Sequence, residues 1–157
     1  MPESASPADV VALLLGRGLT IATGESITAG LVAGTLADVP GCSAVLRGGV
    51  VAYQPDVKTD LLGVPGEALE EGIVSEAVAV AMARGAAGRL HADVGIGTTG
   101  VAGPQAHDGE PVGSVWIAAV DGGAVRTAHL VLTGDRAAIR RQTVEACWRL
   151  VGDLLAR

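Results

Sequence analysis

Apolar residues along this chain recur at helical spacing in some stretches and in short strand-length runs in others, and the changes mark the elements. In PADVVALLLGR, Ser6 reads as an N-cap, Pro7 as the first helical residue and Gly16 to Gly18 as the exit, so the pattern predicts a first helix. LTIAT (19–23) is a short apolar run of strand length. ITAGLVAGTLADV (27–39) returns to helical spacing, with Gly30 and Gly34 one turn apart and read as permitting close helix packing. AVLRGGVVAY (44–53) predicts a strand interrupted by Gly48 and Gly49, where a bulge or a close neighbour is expected. A short helix over 54–64 carries Pro55 in its first turn, Ser75 caps a long helix reaching residue 90, and 92–99 forms the next strand. GPQAHDGEPVG (103–113) is loop-like in composition. SVWIAAV and AVRTAHLVL flank Asp121, Gly122 and Gly123, a hairpin signal. A last helix starts at Gly134 and Asp135, with Ile139, Thr143, Cys147, Leu150, Val151 and Leu154 on one face. Helices before, between and after strands, plus one hairpin, predict a single domain over 1–157, a three-layer α/β/α sandwich with a mixed β-sheet.

Composition narrows the function classes. Among 157 residues Phe is absent and aromatics make up 2%, so the core must be packed from Ala, Val, Leu and Ile. A net charge of -6 and a pI near 4.9 argue against a nucleic-acid partner, which needs clustered cations. Cys42 and Cys147 are far apart, with no metal-ligand spacing and no disulfide framework, which fits a reduced, cytoplasmic setting. The polar, acidic start is no signal peptide, and no apolar run reaches the ~20 residues of a membrane span, so no membrane partner is expected.

Of the eleven basic residues ten are arginine, and Lys58 is the one lysine. In an arginine-rich chain a solitary lysine is a candidate for what a guanidinium cannot do, which is to lose its proton near neutral pH. Tyr53, the one tyrosine, stands five residues before it, where a strand gives way to a helix. Ser26, in TGESITAG, sits between a strand and a helix, where it serves either as an N-cap or as a nucleophile at the carboxyl edge of a sheet. A neutral amine is a base that can activate such a hydroxyl. GIGTTG (95–100) has the GxGxxG form, but a dinucleotide turn must open at once into a helix, and VAGP follows instead. TTGVAGP is read as a glycine-rich loop whose N–H groups receive an anionic or carbonyl oxygen, or as a plain turn. His91, His107 and His129 compose no Ser-His-Asp triad, and His107 with Asp108 and Glu110 reads as a solvated loop. Arg136, Arg140 and Arg141 occupy the first turns of the last helix, where a guanidinium meets a phosphate or simply faces solvent.

The ordered set ESITAG, VPGCSAVLRGGVVAYQPDVKTDLLGV, GIVSEAVAVAMARGA, TTGVAGP, PVGSVWIA and GDRAAIRRQTV resembles the CinA C-terminal domain family over nearly the whole chain. Members of that family are similar to nicotinamide mononucleotide deamidases, which hydrolyse the carboxamide to the acid and ammonia in pyridine-nucleotide salvage. The resemblance implies the three-layer domain, a small-molecule substrate, no metal and no cofactor, and a homo-oligomer is expected. It places catalytic roles on Ser26, Tyr53 and Lys58. Substrate contacts are expected from Thr28, Gly30, Thr99, Gly100, Gly103 and Arg140, with Arg140 on the phosphate. One position departs from the family pattern, Ala29 standing where glycine is usual. Larger relatives carry a further N-terminal pyrophosphatase domain, so the standalone form is expected here. A second reading is a non-catalytic nucleotide-binding module accessory to competence or DNA repair, which would need the glycine loop and Arg140 but not Ser26 or Lys58.

Overall fold

Parallel pairing sets the frame. In a computed structural model that describes residues 4–157, strand β1 (Ile21–Glu25) pairs in parallel with both β2 (Leu46–Val51) and β3 (Val94–Gly100). β4 (Ser114–Asp121) runs antiparallel to β3, and β5 (Ala124–Val131) antiparallel to β4, giving the order β2-β1-β3-β4-β5. This is the expected three-layer α/β/α sandwich with a mixed sheet. The first three residues of the polar N-terminal segment lie outside the described part.

Strand alternation divides the side chains between two cores. Ile21, Val94, Ile96, Val115 and Ile117 point to one face, which α1 (Pro7–Arg17), α2 (Leu31–Ala37) and α6 (Arg136–Leu155) cover with Leu14, Leu36, Ile139, Trp148 and Leu154. Ala22, Ala118 and Val120 point to the other, where α3 (Pro55–Leu62), α4 (Gly66–Glu71) and α5 (Glu76–Arg89) lie. On that second face the layers approach closely because the side chains are small. A Cβ on Gly95 or Gly97 would collide with the carbonyl oxygens of Ala83 and Ala79 on α5. The glycines of GIGTTG therefore lie inside β3 and let an alanine-rich helix settle on the sheet.

Several boundaries differ from the sequence expectation. α2 begins at Leu31 rather than at residue 27, because 27–30 form a turn containing two positive-φ residues, Ala29 at 45° and Gly30 at 95°. Gly34 has no heavy atom within 4 Å of where a Cβ would sit, so its spacing from Gly30 does not mark a helix contact. α4 was not foreseen: Gly66–Glu71 is a short, mostly polar helix without buried residues, so no apolar period announces it. The interruption at Gly48 and Gly49 is real, since the β1–β2 register shifts there and a Cβ on Gly49 would come within 2.5 Å of Thr23 Oγ1. The hairpin turns through Gly122 and Gly123 as expected.

Candidate active site

The carboxyl ends of β2, β1 and β3, all parallel, open on the same edge of the sheet, the place where open α/β sheets form ligand crevices. Ser26 follows β1 directly, Tyr53 and Lys58 follow β2, and the 101–113 loop follows β3. A cavity of about 290 Å³ lies there, lined by Ser26, Tyr53, Gln54, Lys58, Thr99, Gly100, Gly103, His107 and Arg136 among others.

Lys58 is the centre of the arrangement. It projects from α3, is only 1% exposed, and its Nζ lies 2.9 Å from Ser26 Oγ, 2.9 Å from the Ala52 carbonyl and 2.9 Å from the Tyr53 carbonyl. An ammonium has three N–H donors, and three acceptors receive them. A neutral amine has two donors and a lone pair, so the two carbonyls take the donors and the lone pair is left facing the serine hydroxyl. Both protonation states are therefore satisfied without movement. Burial alone lowers the Lys58 pKa from 10.5 to about 8. No carboxylate opposes this: the cavity lining has none, and the ion pair found among the described residues, Arg157 with Asp121, does not involve Lys58.

Ser26 is not a helix cap. The helix-opening amides of α2 are taken by the preceding residue, Glu25, whose carboxylate accepts from Gly30 N, Val32 N and Ala33 N at 3.1, 2.8 and 3.1 Å. The Ser26 hydroxyl is thereby left for Lys58. Its amide donates to Thr98, at 3.0 Å to the carbonyl and 3.2 Å to Oγ1. Arg140, on α6, donates through Nε to the Ile27 carbonyl at 3.0 Å and through Nη2 to the Thr28 carbonyl at 3.1 Å. A serine hydroxyl, a low-pKa amine in bonding contact with it and a rigid turn form the equipment of a serine nucleophile with a lysine base.

The family model described as "CinA C-terminal domain" matches residues 3–155. This chain belongs to the CinA C-terminal domain family. A CinA-like protein of Frankia casuarinae is 47% identical over 148 residues, which cover 94% of this chain and 34% of that protein. A putative competence-damage inducible protein of Desulforamulus reducens is 44% identical over 144 residues, covering 91% and 35%. The chain thus spans about a third of the length of these curated relatives. Among solved structures, a CinA superfamily protein from Klebsiella pneumoniae matches with a TM-score of 0.92 at 34% identity, covering 96% of this chain and 95% of that one. A competence/damage inducible protein from Agrobacterium tumefaciens matches with a TM-score of 0.87 at 36% identity, covering 96% and 98%.

Within this CinA domain the expected site residues fall into two groups. Ser26, Tyr53, Lys58, Thr99, Gly100 and Gly103 line the cavity. Thr28, Gly30 and Arg140 do not. Thr28 is fully buried with its hydroxyl 2.9 Å from Thr98 Oγ1, Gly30 opens α2, and Arg140 grips the turn's carbonyls. Tyr53 does not stand between Lys58 and Ser26: Lys58 reaches Ser26 directly, and the phenol accepts from Arg136 Nη2 at 2.6 Å while the residue is 44% exposed. The Thr99 hydroxyl donates to the Ile73 carbonyl at 2.9 Å, so it holds the cavity wall. Glu25 and Gln54 are not picked out from the sequence, and Arg136 reads there with Arg140 and Arg141 as an arginine that meets a phosphate or faces solvent, the phosphate role then falling to Arg140. For Glu25 the signal was present, a carboxylate ending an otherwise apolar strand, which needs a buried purpose. Arg136 shares the first turns of α6 with Arg140, and which of the two faces the crevice depends on helix orientation, which a sequence does not carry.

Proposed function

We propose that this domain is a nicotinamide mononucleotide amidohydrolase, converting the carboxamide to the acid and ammonia through Ser26 and Lys58. The observation that carries the reading is the 2.9 Å contact between a buried lysine amine with no carboxylate beside it and a serine hydroxyl in a cavity wall. Neutral Lys58 takes the Ser26 proton as Oγ bonds to the carboxamide carbon and the carbonyl electron pair moves to oxygen. Collapse breaks the C–N bond, Lys58 gives the proton to the leaving nitrogen, and ammonia departs from an ester on Ser26. Water then adds to the ester, passing a proton through Lys58 to the departing Oγ, and the acid is released. The Ser26 and Val101 amides already donate to Thr98 and Ser114, and we assign the oxyanion to the neighbouring amides of Ile27, Ala102 and Gly103, a class of interaction worth about 3 kcal/mol per donor.

The charge of the lining supports a phosphorylated substrate. Arg136 lines the cavity and no Asp or Glu does, although the chain as a whole carries -6. We assign the phosphate to Arg136, which lines the cavity, rather than to Arg140, which is not among the lining residues. A cationic pyridinium ring would further disfavour protonated Lys58, coupling substrate binding to base activation. The volume, near the lower end of the ~300–1,000 Å³ of ligand pockets, suits a mononucleotide better than a dinucleotide.

The test is incubation with nicotinamide mononucleotide, following ammonia and the one-unit mass increase that accompanies replacement of NH2 by OH. Ser26→Ala and Lys58→Arg are both expected to abolish turnover, and full activity in either excludes the dyad. A second reading is a non-catalytic nucleotide-binding module accessory to competence or DNA repair, and its link to competence draws on relatives named putative competence-damage inducible proteins. Calorimetric binding of the nucleotide with no acid formed would support that one.

A further inference from the structure

Glu25 takes no part in the chemistry above, yet it is the most heavily bonded carboxylate of the site. It ends β1, paired with Val51 on one side and Thr98 on the other, and is 1% exposed. Four donors converge on it: the amides of Gly30, Val32 and Ala33, and the Thr23 hydroxyl at 2.9 Å. None is a cation. A buried carboxylate costs several kcal/mol unless hydrogen bonds compensate it, so its retention in an apolar strand calls for something that those bonds achieve.

What they achieve is closure of a turn. Gly30 lies at the far end of the segment whose near end is Ser26, and within it Ala29 is held at φ 45°, which L side chains seldom adopt. The Ser26 amide is fixed by Thr98 and the Ile27 and Thr28 carbonyls by Arg140, while Glu25 holds the Gly30 amide at the far end of the turn together with the Val32 and Ala33 amides of the first turn of α2, so a negative charge anchors the end of the turn and a positive one its carbonyls. We propose that Glu25 is a positioning residue, whose carboxylate closes the Ser26–Gly30 turn and thereby fixes Ser26 Oγ against Lys58 Nζ. The inference rests on Ser26 being a nucleophile activated by Lys58, not on which amide is cleaved.

The experiment measures Ser26 reactivity apart from substrate. A fluorophosphonate ester phosphonylates an activated serine: the Oγ–P bond forms, P–F breaks, fluoride leaves and the proton passes through Lys58 to water. Labelling of Ser26 in the full chain is followed by mass spectrometry from pH 6 to 9.5, for wild type, Glu25→Gln, Glu25→Ala and Thr23→Val, beside kcat and KM for nicotinamide mononucleotide. Glu25→Gln keeps the size but sets an NH2 among donors. It is expected to slow labelling and kcat at least tenfold, with KM within threefold and the pH midpoint of labelling unchanged, since Lys58 keeps its surroundings. Glu25→Ala is expected to be slower still. Thr23→Val removes one donor without changing shape, and an approximately threefold fall is expected.

Labelling of Glu25→Gln within twofold of wild type overturns the proposal, as does a loss accompanied by a shifted pH midpoint, which would mark general disruption. If Glu25→Gln does not fold, an unchanged rate in Thr23→Val overturns it instead. A wild-type chain that is never labelled at Ser26 overturns it too. Labelling of wild type without release of ammonia removes the nicotinamide mononucleotide reading alone, and the relative labelling rates still decide the role of Glu25.

Discussion

The pH dependence of turnover is the sharpest consequence of the buried lysine. An ordinary lysine with a pKa near 10.4 has about 4 in 10,000 molecules neutral at pH 7. Lys58, lowered to about 8 by burial, has roughly one in eleven neutral, a gain of about 200-fold in competent base. On this basis kcat/KM for nicotinamide mononucleotide should rise with unit slope from pH 6 and level off near pH 8, because that ratio reports the free protein. A unit positive charge about 8 Å from Nζ contributes about 1–2 kcal/mol at an effective dielectric of ~20–40. The midpoint in kcat, which reports the complex, should therefore lie about one unit lower. Both profiles come from initial rates of ammonia release in constant-ionic-strength buffers. A kcat/KM that is flat from pH 6 to 9 would refute the amine as base, and one still rising with unit slope above pH 10 would refute its lowering by burial. A kcat midpoint equal to that of kcat/KM would refute the coupling to substrate charge.

Other consequences concern stability and the division of labour between the arginines. The folded pKa of Lys58 lies below its unfolded value of 10.5, so the burial penalty is fully present below pH 8 and is relieved as pH rises from about 8 through 10.5. Relative to Lys58→Met, the wild type should gain up to about 3 kcal/mol across that window by urea unfolding, and a constant difference would contradict the argument. Ala29→Gly, relieving φ 45° at the cost of a more flexible unfolded chain, should stabilise by about 0.5–1 kcal/mol in the same assay, and a destabilisation would mean that the methyl packs favourably. Gly97→Ala should destabilise by about 1–3 kcal/mol, because its methyl meets the Ala79 carbonyl, and a wild-type melting temperature would show that α5 can retreat. Arg136→Gln should raise KM for nicotinamide mononucleotide at least tenfold with kcat within threefold. Arg140→Gln should instead lower kcat by loosening the Ser26 turn, and the reverse pattern would return the phosphate to Arg140.

Apolar runs and periods located the strands, the major helices and the hairpin: the helices bury one face against one layer, written into every third to fourth residue, whereas β1 and β3 are buried on both faces and read as short apolar runs. The lone lysine and the serine at the strand end were likewise legible, since their positions after β1 and β2 bring them to one sheet edge. What was not legible depended on orientation. Whether Ser26 caps a helix turns on where α2 starts, and that is set by a side-chain carboxylate reaching across five residues to Gly30. Whether Arg136 or Arg140 enters the cavity turns on how α6 lies over the sheet, a matter of tertiary packing. The glycines of 95–100 have the form of a dinucleotide fingerprint because glycine spacing records close approach without saying what approaches. Here the neighbours at Gly95 and Gly97 are the backbone of α5.

The placement of Glu25 also bears on why Lys58 can be a base at all. A buried negative charge bonded to the amine would hold it protonated and raise its pKa, which is the usual effect of an opposite charge within ~4–6 Å. Glu25 is adjacent in sequence to the nucleophile, yet its four donors are backbone amides and a threonine hydroxyl, and the three acceptors around Nζ are carbonyls and the Ser26 hydroxyl. The carboxylate is thus turned to the start of α2, where it shapes the turn. The amine is left with neutral partners that are equally served by either protonation state. Desolvation then sets the Lys58 pKa without opposition, so the two tasks are separate: the Thr23 to Gly30 segment governs where the hydroxyl points, and burial of Lys58 on α3 governs how readily the hydroxyl's proton can be taken.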